Sequence, residues 1–88
     1  MLQADYTTQF MKDLKLAKKR NLPLQEIKNV MDMLIQEIPL PQQFKDHNLS
    51  GNKKGRRECH VQPDWLLIYR KSETVISFER TGTHSDLF

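Results

Sequence analysis

The stretch from Lys45 to Phe88 carries all three histidines of the chain, His47, His60 and His84. Asp64 and Arg80 lie among them, with a basic run in which Lys53, Lys54, Arg56 and Arg57 fill four of five consecutive positions. Histidine is the side chain whose ordinary titration range sits nearest neutral pH. Several imidazoles beside a carboxylate and fixed cations can give and take protons next to a phosphate. That combination suits RNA cleavage, in which a 2′-hydroxyl loses its proton, charge builds on phosphorus and a leaving oxygen is protonated. A plainer reading stands beside it: three histidines are an ordinary count, and basic runs are mostly solvated surface. Placement in space decides between the two.

The elements that must position these groups run helices first, strands after. Leu2, Ala4 and Tyr6 alternate with polar residues and predict a short opening strand. Thr7 or Thr8 then caps a helix whose apolar positions Phe10, Leu14 and Ala17 follow helical spacing. Lys18, Lys19 and Arg20 fall in its last turn, and Asn21 with Pro23 stops it. A second helix carries the stripe Ile27, Val30, Met31, Leu34 and Ile38 and is expected to end at Pro39 and Pro41. The period then changes to two. Arg57 to Val61, Trp65 to Tyr69 and Thr74 to Arg80 read as strands, joined by turns at Gln62-Pro63-Asp64 and Arg70 to Glu73. The fold class is therefore α+β: an antiparallel sheet with two helices packed on one face, the other face open and concave.

Strand parity sharpens the histidine argument. With Cys59 and Val61 toward the helices, His60 points to the open face. His47 comes from the loop before the strands and His84 from the tail after them, so the three meet if the tail folds back, with Leu87-Phe88 as its anchor. Arg80 shares parity with the core residues Ile76 and Phe78, a conflict that a bulge near Glu79 would remove. A fixed guanidinium fork on the open face matches phosphate oxygens, whereas the alternative is an ion pair to a nearby acid. Asp64 follows Pro63 in a turn; functionally it either accepts a proton or fixes a histidine tautomer. Trp65 is read as core edge, with base stacking the alternative. Cys59 and His60 face opposite ways and no CxxC or HxxxH spacing exists, so neither a metal nor a cofactor is expected.

Length and charge bound the rest. At 88 residues the chain reads as one domain spanning residues 1–88, and 14 basic against 11 acidic residues give a net charge of +3. An anionic partner is plausible on that balance without being required. A single cysteine excludes an internal disulfide and suits a reducing cytosol. The N-terminus has no basic region followed by an apolar stretch, and no apolar run approaches membrane-spanning length. A cytoplasmic protein without a membrane partner is the expectation.

Three separated blocks carry a resemblance. Lys45 to Gly51 (KDHNLSG), Arg57 to Tyr69 (RECHVQPDWLLIY) and Phe78 to Phe88 (FERTGTHSDLF) resemble, in order and spacing, the YafQ-like toxins of the RelE/ParE superfamily. These are the toxins of type II toxin–antitoxin pairs. The resemblance implies a RelE-like fold and a ribosome-dependent endoribonuclease that cuts messenger RNA in the decoding site without a metal. It implies catalytic roles for His47, His60, Asp64, Arg80 and His84, with His84 the general acid beside Arg80 and His60, His47 or Asp64 the base. RNA or ribosome contacts fall to Lys53, Lys54, Arg56, Arg57, Trp65 and Phe88. Lys53 and Arg56 replace aromatic residues of the family pattern, which removes stacking there and strengthens phosphate attraction. The implied partners are a cognate antitoxin, the ribosome with its message and, only through the antitoxin, operator DNA. A gyrase-inhibitor type of toxin on the same fold, or a plain nucleic-acid-binding module, would have no use for the histidine–aspartate–arginine set.

Overall fold

Two helices with matching ends form one layer. The computed structural model describes residues 1–88, and its first helix, α1, spans Thr8–Lys19. Thr7 is the cap: its hydroxyl oxygen accepts from the Phe10 N–H at 2.9 Å and donates to the Glu79 carbonyl at 2.8 Å. At the other end Asn21 takes the left-handed conformation (φ 59°), and the Asn21 and Leu22 amides reach back to the carbonyls of Lys18 and Ala17. This closure satisfies carbonyls that the helix end would leave bare. Helix α2 spans Leu24–Ile35 and closes the same way, with Glu37 left-handed at φ 60° and the Ile38 amide on Met33. The helix therefore stops short of the expected prolines. Ile38 continues the apolar stripe in sequence, but it lies past the helix and is 45% exposed. Pro39 disfavours helical backbone at Ile38, so the chain turns before it.

The second layer is a five-stranded sheet. Its strands are β1 (Gln3–Tyr6), β2 (His47–Asn48), β3 (Arg57–Gln62), β4 (Trp65–Lys71) and β5 (Val75–Gly82), in spatial order β1-β5-β4-β3-β2. Strands β2 to β5 pair antiparallel as expected, and β1 adds a parallel pairing with β5 that makes the sheet mixed. The helical crossover through α1 and α2 permits that pairing, which a hairpin cannot make. A last turn of helix, α3 (His84–Leu87), ends the chain.

The main core lies between helices and sheet, where Phe10, Ala17, Ile27, Val30 and Leu34 meet Cys59, Val61, Leu67, Tyr69, Ile76 and Phe78. Strand β4 is buried on both faces, which explains its unbroken apolar run. Leu66 and Ile68 point to the opposite face, where Leu87 and the half-buried Leu49 cover them. That face is thus only partly open. The tail is pinned across it by Leu87, while Phe88 stays 62% exposed.

Candidate active site

Three segments bring the histidines into one row. Strand β2 pairs antiparallel with β3 and sets His47 opposite Glu58. His60 lies two residues further along β3, on the face away from the helices, because Cys59 and Val61 are in the main core. His84 opens α3, whose Thr83 and Asp86 form a reciprocal cap. Ring centroids are 6.4 Å apart for His47 and His60, 5.9 Å for His60 and His84, and 6.4 Å for His84 and Phe88.

Each ring has its own partners. The Asp64 Oδ1 accepts from the His84 backbone amide at 2.9 Å and meets His84 Nδ1 at 2.7 Å. These two bonds from His84 hold the Asp64 carboxyl below the usual carboxylate range. His47 Nδ1 faces the Lys45 carbonyl at 2.5 Å and His60 Nδ1 faces the Pro63 carbonyl at 3.3 Å. A carbonyl accepts only, so each Nδ1 must carry the proton. The Nε2 atoms of both rings then turn toward one carboxylate, Glu58 Oε1, at 3.5 and 3.6 Å.

Glu58 is the member of this cluster that sequence reasoning missed. It is only 5% exposed, a buried acid facing two imidazoles. Its alternation with Cys59 places it on the site face, but nothing in the local pattern shows that β2 would cover it with His47.

Arg80 reaches the same face through a bulge. The register pairs Ile68 with Arg80 and Tyr69 with Phe78, leaving Glu79 without a partner and reversing parity after Phe78. The parity conflict in the sequence is resolved this way. The guanidinium also forms an ion pair: Asp13 Oδ2 accepts from Arg80 Nε at 2.8 Å and from the Thr81 amide at 3.1 Å. Asp13 is 7% exposed, and its hydrogen bond raises the Arg80 pKa further above its ordinary value. The acid comes from α1. A groove of about 460 Å³ beside it is lined by Gln9, Asn52, Lys53, Arg56, Ile68 and Arg80, among others.

The remaining expected positions divide. Trp65 is corrected: at 2% exposure it lies in the main core and offers no face to a base. The basic run is split by its surroundings. Arg56 is paired with Glu79, and Arg57 binds Asp46 at 3.1 Å, Asn48 at 2.6 Å and the Tyr69 hydroxyl at 3.2 Å. Lys53 sits 5.3 Å over the Phe88 ring, and Lys54 is exposed. Cys59 is buried on the helix side of β3, and burial pushes its thiol up to about 12, so it is neither a ligand beside His60 nor a nucleophile.

The chain matches a family model described as bacterial toxin of type II toxin-antitoxin system, YafQ, over residues 2–88. It is 48% identical over 91 residues to the mRNA interferase toxin YafQ of Escherichia coli K12, covering 100% of this chain and 99% of that protein. The crystal structure of the E. coli DinJ-YafQ toxin-antitoxin complex contains a chain 46% identical that superposes with a TM-score of 0.93, covering 99% of this chain and 97% of that one. A metal-bound toxin from Helicobacter pylori is 40% identical, with a TM-score of 0.93 over 100% of both chains. With the family model matched over residues 2–88 and 48% identity to a relative over the whole chain, the chain belongs to the YafQ family of type II toxin–antitoxin toxins.

Proposed function

We propose that this chain is an mRNA interferase whose histidine row cleaves messenger RNA by attack of the RNA's own 2′-hydroxyl. The observation that carries this reading is the convergence of His47, His60 and His84 on one face, with Glu58 between the first two and Asp64 on the third. Family membership and the name of the E. coli relative support it. We read residues 1–88 as one toxin domain acting in the cytoplasm, on messages held in the ribosomal decoding site. A cognate antitoxin neutralises it and provides its only link to operator DNA.

In the reaction, Glu58 with His47 and His60 takes the 2′-hydroxyl proton. The freed oxygen bonds to phosphorus while the bond to the 5′-oxygen breaks, giving a 2′,3′-cyclic phosphate and a 5′-hydroxyl. His84 supplies the proton to the departing oxygen. The Asp64 carboxylate accepts a hydrogen bond from the His84 Nδ1–H, which fixes the ring with Nε2 toward the substrate. Asp64 is thus an orienting group. Two Arg80 nitrogens are engaged by Asp13, and the remaining Nη1 faces the charge developing on phosphorus. Phe88 stacks a neighbouring base, and Lys53 with Lys54 attracts phosphates.

The test is cleavage on ribosomes programmed with a defined message. A 2′-deoxy sugar at the scissile nucleotide should abolish cutting and leave binding intact. His84→Ala should lower the rate by about 10²–10⁴ with the fold unchanged. Normal cleavage of the deoxy message would make water the nucleophile and refute the mechanism.

A further inference from the structure

A second pocket shares its walls with the histidine row. It has a volume of about 340 Å³ and is lined by Gln43, Phe44, Lys45, His60, Val61, Gln62 and Pro63. Two of these positions also hold the site, since the Lys45 carbonyl meets His47 and the Pro63 carbonyl meets His60. Anything entering the pocket therefore lies against His60. The volume falls at the small end of the range for small-molecule sites.

Apart from Lys45 and His60 the lining has no ionisable side chain, and it combines the half-buried Phe44 with two side-chain amides. One amide is oriented. Gln62 Nε2 lies 3.3 and 3.4 Å from the two carboxylate oxygens of Glu26, in the first turn of α2. A carboxylate only accepts, so the nitrogen must be the atom on that side. The Gln62 carbonyl oxygen is left free as an acceptor. Gln43, on the exposed 3₁₀ turn Gln42–Phe44, adds a second amide.

We propose that this pocket binds the nucleobase next to the scissile phosphate and that Gln62 and Gln43 read it. This rests on the nuclease reading above. A flat heterocycle with donors and acceptors on its edge fits an aromatic ring flanked by amides. Single-stranded RNA is recognised in this way, by splayed bases stacked on aromatic rings and hydrogen-bonded at their edges. Phe88 then offers one base position at the end of the histidine row, and the Gln43–Gln62 pocket a second beside His60. A fixed acceptor at Gln62 pairs with the exocyclic amine that adenine and cytosine carry on the edge where uracil offers only O4, so the pocket, meeting that edge, disfavours uracil. Glu26 is a positioning residue, because it sets which end of the amide the base meets.

The experiment maps cut sites on ribosomes translating a message library for the parent protein, Gln43→Ala, Gln62→Leu, Glu26→Ala and the off-site control Gln25→Ala. Parent and control should disfavour uracil at one fixed position relative to the cut. Gln62→Leu should flatten that preference by about three- to tenfold, the worth of one neutral hydrogen bond. Gln43→Ala should weaken it, and Glu26→Ala should let uracil be accepted. Unchanged preference in every variant would overturn the proposal. So would a uniform loss of rate across all sequences in folded variants, which would make the pocket a support for the histidines. A parent protein that cuts nothing would instead refute the nuclease reading itself.

Discussion

Replacing Glu58 by Gln removes a charge and keeps the shape. The carboxylate lies 3.5 Å from His47 Nε2 and 3.6 Å from His60 Nε2, so it is the common partner of both rings. A unit charge pair at about this distance near a protein surface is worth on the order of 4 kcal/mol. That is about three decades of rate if the imidazolium formed on taking the 2′-hydroxyl proton loses its counter-charge. Loss of one acid–base group costs about 10²–10⁴ by an independent route, and the two ranges agree. Stability should move the other way. A buried acid facing only two rings carries a desolvation cost, and a neutral residue of the same volume removes it. Glu58→Gln should therefore melt within about 1 kcal/mol of the parent or above it.

Single-turnover cleavage at saturating protein on programmed ribosomes measures the first quantity, and urea unfolding the second. Adding His60→Ala to Glu58→Gln should cost less than about tenfold more, because groups that act as a unit are not additive. Cleavage within threefold of the parent would refute the role of Glu58. A fall in activity matched by a fall in stability would make Glu58 a structural residue instead.

Four further outcomes concern the charged side chains. Lys53→Gln with Lys54→Gln should flatten the salt dependence of ribosome binding by roughly 0.7–0.9 in log–log slope per lost phosphate contact. Arg57→Gln should instead lower stability by about 1–3 kcal/mol in urea melts, by stripping partners from Asp46 and the Tyr69 hydroxyl. Asp13→Asn should cost about 1.5–3 kcal/mol of stability, as a lost hydrogen bond to a charged group, and reduce cleavage through Arg80. Asp86 is held below the usual carboxylate range, first by the Arg20 hydrogen bond and then by the Thr83 amide. Its folded-state pKa is depressed, so it stabilises the fold above about pH 4 and that contribution fades as pH falls toward the folded value. An Asp86→Asn variant should be less stable than the parent at neutral pH and converge with it in acid melts.

What was legible in the sequence was whatever a short window determines. The Thr7 cap, the Asn21 stop, the α2 stripe and the alternation of β3 all depend on neighbours within a few residues. The side of β3 that carries His60 followed from Cys59 and Val61 alone. Elements whose placement depends on distant pairing were less open. The opening strand was visible, but its parallel partner β5 lies about seventy residues away. The Arg80 parity conflict signalled a bulge without showing that Tyr69 would pair with Phe78 and skip Glu79. Ile38 kept the helical period after the backbone had left the helix at Glu37, because periodicity does not sense a left-handed residue. Trp65 was open to a surface role only while the cover over the start of β4 was unknown. Glu58 is the deepest case: its importance comes from a two-residue strand that covers it.

The cations divide by type, and the division explains how a small chain holds a site built from remote segments. Arg20, Arg56, Arg57, Arg70 and Arg80 each face an acid, whereas the ion pairs include no lysine. The arginine pairs fall where the histidine segments need fixing. Arg57 on Asp46 ties down the residue before His47, and Arg20 on Asp86 ties down the turn that begins with His84. Arg56 and Arg70 flank Glu79, the bulged residue that turns Arg80 to the site face. Exposed pairs of this kind add little to global stability. Their effect is local, in that a bidentate fork fixes an angle as well as a distance. The lysines, unpaired on flexible stems, remain free to exchange counterions for phosphates. Under the proposed function, arginine preorganises the acid–base groups and lysine supplies the attraction for an anionic partner.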